Sequence, residues 1–377
     1  MKILIFYASY GGGHLSAAKS IKQYIEANYP YNEIQMIDCM KYINKGIDKL
    51  TTGFYNMSAK KAPWAWGITY KLSSTGPIFE ISNFNNRVMS LKLDQLFKEF
   101  NPDLVISTHP FSTQMTANLK KLKKTNCFLA SIMTDFEPHN QWLVGYEYID
   151  CIFVSNEKMR QKIIDKGIPD SKIFTTGIPL SNKFLEHFDH ETIKKSFDLD
   201  LNRKTILFFG GGEFGLAKSQ TIDILKAFIN NLDDAYQMVV ISGKNEKIKH
   251  KFESLVKYKK VEKIVKVLGY TNQVPELMSI SDLVITKPGG LTVTESLASG
   301  LPIIAINPIP GQEVENAEFL EKSEVALWLK KDDNPDDFAK NLLSDVSKIQ
   351  HMKINSKLIA KRNSTKDICE IIFNCLQ

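Results

Sequence analysis

Short, largely apolar runs alternate along the chain with amphipathic stretches of helical period. In the first half these runs cover residues 3–7, 104–107, 128–133 and 151–154, and in the second half residues 205–209, 237–241, 264–267, 282–285 and 302–306. Continuous apolar runs are typical of strands that are buried on both faces. The pattern therefore predicts an α/β fold in which each half of the chain forms a parallel sheet with helices on both sides.

The length of 377 residues exceeds one ordinary domain, so two domains are expected. Thr176-Gly177-Ile178-Pro179-Leu180 combines Gly and Pro between the two sets of predicted strands, which indicates a hinge and a boundary near residue 180. We predict an N-terminal domain over residues 1–180 and a C-terminal domain over 181–358. Residues 359–377 are expected to form a C-terminal helix that packs back on the N-terminal domain.

Hydrophobic residues make up 43% of the chain and charged residues 24%, a globular composition that excludes a disordered chain. The net charge of +6 is uneven, because residues 1–180 carry 21 Lys and Arg against 15 Asp and Glu, whereas residues 181–377 carry 27 of each. A basic first half suits an anionic partner, either nucleic acid or an anionic lipid surface. A solvated surface with surplus lysine explains the same numbers, so charge leaves the partner open.

The five cysteines are scattered and include no C-x-x-C pair, which is typical of a reduced, cytosolic protein. The apolar run at residues 3–7 is too short for a signal peptide and meets Gly11-Gly12-Gly13, so we interpret it as the first buried strand. No uninterrupted apolar stretch approaches the roughly 18 residues of a membrane-spanning helix.

The first candidate site is Ser9-Tyr10-Gly11-Gly12-Gly13-His14, between the first strand and an amphipathic helix. Glycines let backbone amides approach a ligand closely, and the helix presents its positive end there. At that end protonation of His14 is disfavoured, which leaves a neutral imidazole able to accept a proton. A histidine that merely packs or hydrogen-bonds at a strand-to-helix turn is the alternative.

The second candidate site follows another strand and runs from Thr286 to Glu295. The backbone amides of Gly289, Gly290 and Leu291 are expected to surround a diphosphate at a helix end. Glu295 has two competing interpretations. In Thr292-x-x-Glu295 it completes a capping box, and as a carboxylate just inside the helix it can bind ribose hydroxyls.

Two polar loops add further candidates. Residues 308–316 contain Gln312 and Glu313, whose amide and carboxylate suit sugar hydroxyls, although a charged surface loop explains them equally. Residues 134–142 follow the predicted strand at 128–133, so Asp135 and His139 lie where open α/β folds build their sites. His109 lies at the end of the preceding strand. Structural roles in polar loops are the alternative for all three.

These motifs together resemble the diacylglycerol glycosyltransferases, which include bacterial processive diacylglycerol glucosyltransferases and plant monogalactosyldiacylglycerol synthases. The residues that carry the resemblance, in chain order, are Gly11-Gly12-Gly13-His14, Thr134-Asp135-Phe136 with His139 and Trp142, Gly177-Ile178-Pro179, Gly210-Gly211-Gly212 with Gly215, Leu268-Gly269-Tyr270, Lys287-Pro288-Gly289-Gly290-Leu291-Thr292 with Glu295, and Pro308-Ile309-Pro310-Gly311-Gln312-Glu313 with Asn316. The resemblance covers nearly the full chain.

The resemblance implies the GT-B architecture, in which two Rossmann-like domains face a cleft and the C-terminal domain binds most of a UDP-sugar. By similarity, Gly269 and Tyr270 read the uracil and Glu295 binds ribose. Gln312 and Glu313 bind the hexose. The remaining donor-binding positions are Gly12, Gly13, Gly211, Gly212, Gly289, Gly290, Leu291 and Thr292. His14 matches the general base, with Asp135 and His139 as further catalytic candidates. We expect no metal and no cofactor besides the donor substrate.

Aromatic and basic residues interleave over residues 54–92, including Trp64, Trp66, Lys60, Lys61 and Arg87. Rings at headgroup level and cations against anionic lipid are what an interfacial surface needs. Members of the family use this region for membrane and acceptor contact, to which we add His109. Binding of single-stranded nucleic acid has no supporting fold signature, and burial in the core accounts for some of the rings.

The expected function is transfer of glucose or galactose from UDP-glucose or UDP-galactose to diacylglycerol, on the inner face of the cell membrane. No nucleic-acid partner is expected. The donor stays open, because the Gly-Gly-Gly-His14 form resembles the plant enzymes and the length resembles the bacterial ones. The alternatives are a UDP-N-acetylglucosamine-dependent transferase with a polyprenyl-linked acceptor, a carbohydrate epimerase, and a non-catalytic regulator that senses UDP-sugar at a membrane.

Overall fold

The computed structural model describes residues 1–9, 12–43, 87–210 and 219–376. The chain forms two compact units. The first comprises Met1–Asn182, Pro310–Gln312 and Lys361–Gln377, and the second comprises Lys183–Ile309 and Glu313–Ala360.

Within the described ranges, the first unit contains one sheet of six parallel strands. These are β1 (Lys2–Tyr7), β2 (Glu33–Asp38), β3 (Leu104–Ser107), β4 (Phe128–Ile132), β5 (Cys151–Val154) and β6 (Ile173–Thr175), in the order β2-β1-β3-β4-β5-β6. After β1 the chain adds β2 on one side and then returns to add β3 on the other. Such a reversal opens a crevice at the carboxyl ends of the two strands, here β1 and β3.

The strands of this sheet are buried on both faces, as the apolar runs predict. In β1, Leu4 and Phe6 join one hydrophobic cluster, and Ile3 and Ile5 join another on the opposite face. Helices cover these faces: α1 (Gly12–Asn28), α2 (Cys39–Ile43), α3 (Asp94–Phe100), α4 (Pro110–Lys121) and α5 (Glu157–Ile164).

The second unit contains a sheet of six parallel strands in its described part. They are β7 (Lys204–Phe209), β8 (Tyr236–Ile241), β9 (Val265–Leu268), β10 (Leu283–Thr286), β11 (Ile303–Ile306) and β12 (Ala326–Leu329). The order is β12-β11-β10-β7-β8-β9, which is the 3-2-1-4-5-6 order of dinucleotide-binding folds read from the other edge. The reversal falls between β7 and β10, which pair directly.

The helices that follow β6 along the chain are α6 (His190–Ser196), α7 (Ser219–Asn230), α8 (Glu246–Lys259), α9 (Val274–Ser279), α10 (Gly290–Ala298), α11 (Gln312–Lys322), α12 (Pro335–Ser344) and α13 (Val346–Ile359). In the described part of the chain, all paired strands of the second sheet are parallel. The predicted α/β class is confirmed in both halves.

The apolar runs in the sequence did not predict three of the strands, namely β2, β6 and β12. All three lie at sheet edges. β2 alternates exposed and half-buried positions, and β6 has only three residues, so neither produces a continuous apolar run. β12 has the apolar sequence Ala-Leu-Trp-Leu, so the apolar pattern was present there but was not recognised.

The last helix, α14 (Ser364–Cys375), belongs to the first unit. Ile368 and Ile372 are fully buried against the sheet, and the ring of Phe373 stacks on Tyr29, which follows α1, with 3.8 Å between centroids. No helix in the described ranges is both long and apolar enough to cross a membrane.

Candidate functional site

Three strand ends of the first sheet converge on the imidazole of His14. His14 lies in the first turn of α1, after β1, while Thr108 follows β3 and Thr134 follows β4. The His14 Nδ1 lies 2.6 Å from the Thr108 carbonyl oxygen and 3.1 Å from the Thr134 hydroxyl oxygen. The predicted base therefore lies at the crevice that the strand order opens, between β1 and β3.

The hydrogen bonds of His14 determine its tautomer. A carbonyl oxygen can only accept, so the Nδ1 of His14 carries the proton and donates it to Thr108. The Nε2 then bears the lone pair, and within the described residues it has no hydrogen-bond partner. Because the surrounding protein strips water from the ring, the pKa of His14 falls from 6.5 to about 4, although the Thr108 hydrogen bond opposes this shift. The ring is neutral at pH 7.

His109 contacts His14 edge to face, with 4.7 Å between ring centroids. It is the N-cap of α4, and its Nδ1 accepts a hydrogen bond from the Phe111 backbone N–H at 3.2 Å. Burial, with a smaller contribution from the neighbouring His14, holds the pKa of His109 well below 6.5. The Nδ1 lone pair of His109 is therefore used to cap a helix.

His139 has a comparable capping role. Its Nδ1 accepts from the Gln141 backbone N–H at 3.3 Å, at the start of the short 3₁₀ turn Asn140–Leu143. Since the lone pairs at Nδ1 of His109 and His139 are used in caps, the Nε2 lone pair, which has no hydrogen-bond partner among the described residues, distinguishes His14 as a proton acceptor. The structural alternative that the sequence left open for His109 and His139 accounts for the observed Nδ1 contacts of both.

Asp135 lies in the loop after β4. The backbone carbonyl of Asp135 accepts from the Ser155 hydroxyl at 2.9 Å, and its carboxylate accepts from the side-chain amide of Gln312 at 2.9 Å. Gln312 is grouped with the first unit together with Pro310 and Gly311. Two residues that the sequence assigned to different roles, Asp135 and Gln312, are thus hydrogen-bonded to each other.

The second candidate site lies at the strand reversal of the second sheet. Lys287, Pro288 and Gly289 connect β10 to α10, which begins at Gly290 with Gly289 as its N-cap. Among the residues that the structure describes, no side chain caps this helix end. The first backbone N–H groups of α10, together with the positive end of its dipole, are therefore available for an anion.

The structure decides between the two interpretations of Glu295. A capping box requires Thr292 to be the N-cap, but α10 begins two residues earlier, so the capping interpretation is wrong. The Glu295 side chain is half-buried, and no side chain or backbone group in the described ranges hydrogen-bonds to its carboxylate. Burial alone raises the pKa of Glu295 from 4.5 to about 8.

Glu313 and Asn316 of α11 connect two loops of the second unit. One carboxylate oxygen of Glu313 lies 2.6 Å from the Lys287 ammonium, and the other accepts the Ile309 backbone N–H at 2.8 Å. The side-chain amide of Asn316, which is fully buried, donates to the Pro288 carbonyl at 3.0 Å. The loops after β10 and β11 are thereby held together, a role that sequence reasoning did not assign to Lys287 or Asn316.

Gly269 and Tyr270 follow β9 at the far edge of the second sheet. The Tyr270 side chain is 68% exposed, and the Lys244 ammonium lies 5.1 Å from its ring centroid. A Cβ added at Gly269 would lie in ordinary van der Waals contact with the Lys249 side chain at 3.8 Å and the Gly243 carbonyl oxygen at 3.9 Å.

Several predicted residues lie outside the described ranges, namely Gly211, Gly212, Lys60, Lys61, Trp64 and Trp66. Arg87 is described and exposed, and with Gln114, Lys121 and Gly145 it lines a cavity of about 300 Å³. Gly12 is exposed and Gly13 is half-buried at the start of α1. Over the described residues, no group of three or more His, Cys, Asp or Glu side chains is arranged to hold a metal ion.

Comparison with known proteins agrees with this architecture. Acinetobacter baumannii MurG has a TM-score of 0.63 and 13% identity, with 99% of each chain covered. Anabaena Alr3699/HepE in complex with UDP has a TM-score of 0.58 and 15% identity, covering 99% of this chain and 100% of that one. At such identities the likeness concerns the fold, and it defines the class: two parallel α/β units of the GT-B glycosyltransferase architecture.

Sequence comparison gives the family. Residues 14–180 match the monogalactosyldiacylglycerol (MGDG) synthase family, and residues 205–371 match the glycosyltransferase family 28 C-terminal domain. A processive diacylglycerol beta-glucosyltransferase of Bacillus pumilus (strain SAFR-032) is 31% identical over 373 residues, which are 98% of this chain and 94% of the relative. The chain belongs to the diacylglycerol glycosyltransferase family, as the sequence motifs predict.

Proposed function

We propose that this protein transfers a hexose from a UDP-sugar to the free hydroxyl of diacylglycerol, with inversion at the anomeric carbon. Glucose is the first choice of hexose, because the relatives are named beta-glucosyltransferases, and galactose is the second. The observation that carries the proposal is the neutral imidazole of His14, which presents the Nε2 lone pair at the strand reversal of the first sheet.

In this proposal the second unit binds the donor. The diphosphate takes the backbone N–H groups at the start of α10, from Gly289 to Thr292, where no side chain competes as a cap. The half-buried carboxyl group of Glu295 accepts hydrogen bonds from ribose hydroxyls, a role supported by its having no hydrogen-bond partner among the described residues. Gly269 and Tyr270 take the uracil.

Gln312 and Glu313 take the hexose in the same proposal. Glu313 is already bound to Lys287 and to the Ile309 N–H, so its contribution to the sugar uses the remaining acceptor capacity of its two oxygens. Gln312 must exchange its hydrogen bond with Asp135 for one with a sugar hydroxyl. This exchange assigns Asp135 the role of holding the Gln312 amide before the sugar arrives.

The first unit activates the acceptor. The Nε2 of His14 accepts the proton of the diacylglycerol hydroxyl while the hydroxyl oxygen attacks the anomeric carbon. The bond from the anomeric carbon to the phosphate oxygen breaks, and UDP leaves with the electron pair. The amide groups at the start of α10 stabilise the charge that develops on the leaving diphosphate.

The acceptor is a membrane lipid, so we place the protein at the inner face of the cell membrane as a peripheral enzyme. The excess of Lys and Arg in residues 1–180 supports contact with anionic lipid. The segment with Trp64 and Trp66 is the proposed contact, together with Arg87 beside it.

The test uses the full chain with unilamellar vesicles that contain diacylglycerol and anionic phospholipid. We expect UDP release with UDP-glucose, a hexosyl-diacylglycerol product by mass spectrometry, and a β-glycosidic bond by NMR. Absence of UDP release with both UDP-glucose and UDP-galactose would refute the proposal. Faster turnover of UDP-N-acetylglucosamine with a polyprenyl-linked acceptor would assign the protein to the competing transferase class instead.

A further inference from the structure

Among the described residues, the hydrogen-bond acceptors at the His14 ring are a carbonyl and a hydroxyl oxygen, not a carboxylate. Catalytic histidines are commonly oriented by an Asp or Glu at Nδ1. Here the hydrogen-bond partners of Nδ1 within the described residues are the Thr108 carbonyl at 2.6 Å and the Thr134 hydroxyl at 3.1 Å. Both groups are neutral, so the ring is oriented by dipoles and not by a charge.

Thr108 is itself rigidly held. Its backbone N–H donates to the Phe6 carbonyl at 3.0 Å, which continues the ladder between β1 and β3 by one residue. Its hydroxyl lies 3.0 Å from the His14 carbonyl oxygen and 3.2 Å from that of Phe6. Thr108 therefore binds His14 both at the ring and at the backbone, and the acceptor oxygen cannot move away from Nδ1 without breaking the end of the sheet.

Thr134 supplies the second oxygen. The residue is 7% exposed and lies two positions after the end of β4, the strand that pairs with β3. The single Nδ1 proton is donated to the Thr108 carbonyl oxygen. The Thr134 hydroxyl oxygen is close enough to accept the same proton in a second, shared hydrogen bond. It gains importance when the ring becomes an imidazolium, since the positive charge strengthens both hydrogen bonds at Nδ1.

We infer that Thr134 is a positioning residue for proton transfer, which acts with the Thr108 carbonyl to hold His14 in the tautomer with hydrogen on Nδ1 and to stabilise the imidazolium formed during the reaction. This inference rests on the proposed role of His14 as general base. It assigns Thr134 no contact with either substrate. Its effect is therefore on kcat and not on the KM of the donor.

The variants are Thr134→Val, which removes the hydroxyl at nearly constant shape, and Thr134→Ser, which keeps it. Thr116→Val is the matched control, because Thr116 is also fully buried in the first unit and its hydroxyl has no hydrogen-bond partner in the structure. We expect Thr134→Val to lower kcat about tenfold, the effect of losing one hydrogen bond to a charged group, with the donor KM changed by less than about twofold. Thr134→Ser restores most of kcat, and Thr116→Val changes neither parameter.

The second readout does not depend on turnover. Long-range ¹H–¹⁵N NMR of ¹⁵N-histidine-labelled full-length protein, with His14 assigned by its absence in His14→Gln, reports which ring nitrogen carries the proton. We expect Nδ1–H in the wild type and, because the Thr108 carbonyl is unchanged, also in Thr134→Val, where loss of the second acceptor shifts the ¹⁵N and ¹H resonances of the Nδ1–H group. An Nε2–H tautomer in the wild type overturns the inference, as does unchanged kcat in Thr134→Val. Equal losses in the Val and Ser variants, with a lowered melting temperature in both, also overturn it in favour of a packing role. If His14→Gln itself retains turnover, the proposed base is wrong, while the tautomer result still stands on its own.

Discussion

The imidazole of His14 has a pKa near 4 because the protein removes water from it without supplying a negative charge. A base with so low a pKa is weak, but it is neutral and available throughout the physiological pH range. At the scale of single residues, desolvation thus determines the protonation of the two groups that matter most, the ring of His14 and the carboxyl group of Glu295.

Replacing His14 tests its role directly. We expect His14→Gln to lower kcat by about 10²-fold or more, the usual contribution of a general base, while UDP binds as in the wild type. Steady-state kinetics and calorimetry with UDP measure the two effects. The control is His250→Gln, since the His250 side chain is exposed on α8 in the second unit, where it lies 3.2 Å from Glu253. Loss of UDP affinity in His14→Gln would indicate a donor-binding role instead.

Glu295 predicts a pH-dependent stability. The folded protein holds the Glu295 proton up to a pKa of about 8, whereas the unfolded chain releases it near 4.5. The folded state therefore binds more protons between these values, and the free energy of unfolding falls as pH rises through this window. Removing the charge with Glu295→Gln should stabilise the protein at pH 9 by about 1–3 kcal/mol and have little effect at pH 4.5.

Urea denaturation at the two pH values measures this difference. If Glu295 also binds ribose, the same variant should bind UDP about tenfold more weakly, because an amide in place of the carboxyl group changes the hydrogen bonds available to the ribose hydroxyls. A stabilised variant with weaker UDP binding is the expected result for a site residue that costs stability. A stability difference that does not change with pH would show that the carboxyl group is not desolvated as described.

At the scale of elements, two helix starts in the first unit are capped by histidine side chains. A cap of this kind works only while the ring is neutral, because a protonated Nδ1 becomes a donor facing another donor. The pKa of His109 is held well below 6.5, which keeps the cap of α4 intact at neutral pH. The stability of α4, and of the loop that carries Thr108, therefore depends on the protonation state of His109.

His109→Asn should preserve the cap and remove the titration. In the wild type, the unfolded chain binds a proton at His109 near pH 6.5 and the folded chain does not, so stability is lost as pH falls below 6.5. We expect this loss to be smaller in His109→Asn, and we expect His109→Ala to cost about 1 kcal/mol at pH 7 through the lost cap. Thermal unfolding from pH 5 to pH 7.5 checks both. A kcat collapse in His109→Asn at pH 7 would instead make His109 part of the chemistry.

In the second unit, the hydrogen bond from the Asn316 side chain to the Pro288 carbonyl joins α11 to the loop after β10. Asn316→Ala removes the donor to the Pro288 carbonyl and releases the loop before Gly289. We expect the donor KM to rise about tenfold, with a loss of about 1–3 kcal/mol in stability from the unsatisfied buried carbonyl. Asn341→Ala, at an exposed position of α12, is the control. Unchanged donor KM would mean that the loop is held by Lys287 and Glu313 alone.

At the scale of the molecule, the first unit is completed by the end of the chain. The Thr365 hydroxyl donates to the Leu180 carbonyl at 2.7 Å, and the Leu180 N–H donates back to that hydroxyl oxygen at 2.8 Å. Residues nearly two hundred positions apart are thus joined beside Gly177, which has a φ of +91°. A side chain at Gly177 would come within 2.5 Å of the Lys361 Cβ.

Alanine variants of two glycines separate the cost of the contact with Lys361 from the cost of backbone strain. Gly177→Ala and Gly167→Ala both place a side chain at φ near +90°, and strain alone costs roughly 1–2 kcal/mol in each. Gly167 has no atom within 4 Å of the added Cβ, whereas Gly177 meets Lys361. We expect Gly177→Ala to be less stable than Gly167→Ala by about 1–3 kcal/mol, measured by urea denaturation. Equal losses would mean that the chain near Lys361 moves away at no cost.

Much of the fold follows from local pattern. The nine predicted apolar runs all correspond to strands, because strands buried on both faces leave a signal within five or six consecutive residues. The strands β2 and β6 do not, because β2 has exposed positions and β6 is only three residues long, while β12 is apolar but was not recognised. The exact start of α10 stayed open, because Thr292-x-x-Glu295 has the spacing of a capping box and only the backbone shows that Gly289 is the cap.

The sequence by itself determined the α/β class, the family and the positions of His14 and of the glycine loops, because these depend on short apolar runs and on residues adjacent in the chain. Only the tertiary structure decided what these residues do. The tautomer of His14 depends on Thr108 and Thr134, which lie 94 and 120 positions away, and the pKa of Glu295 depends on how much water the folded unit removes. Hydrogen-bond partners and desolvation arise from strand order, which no local pattern contains.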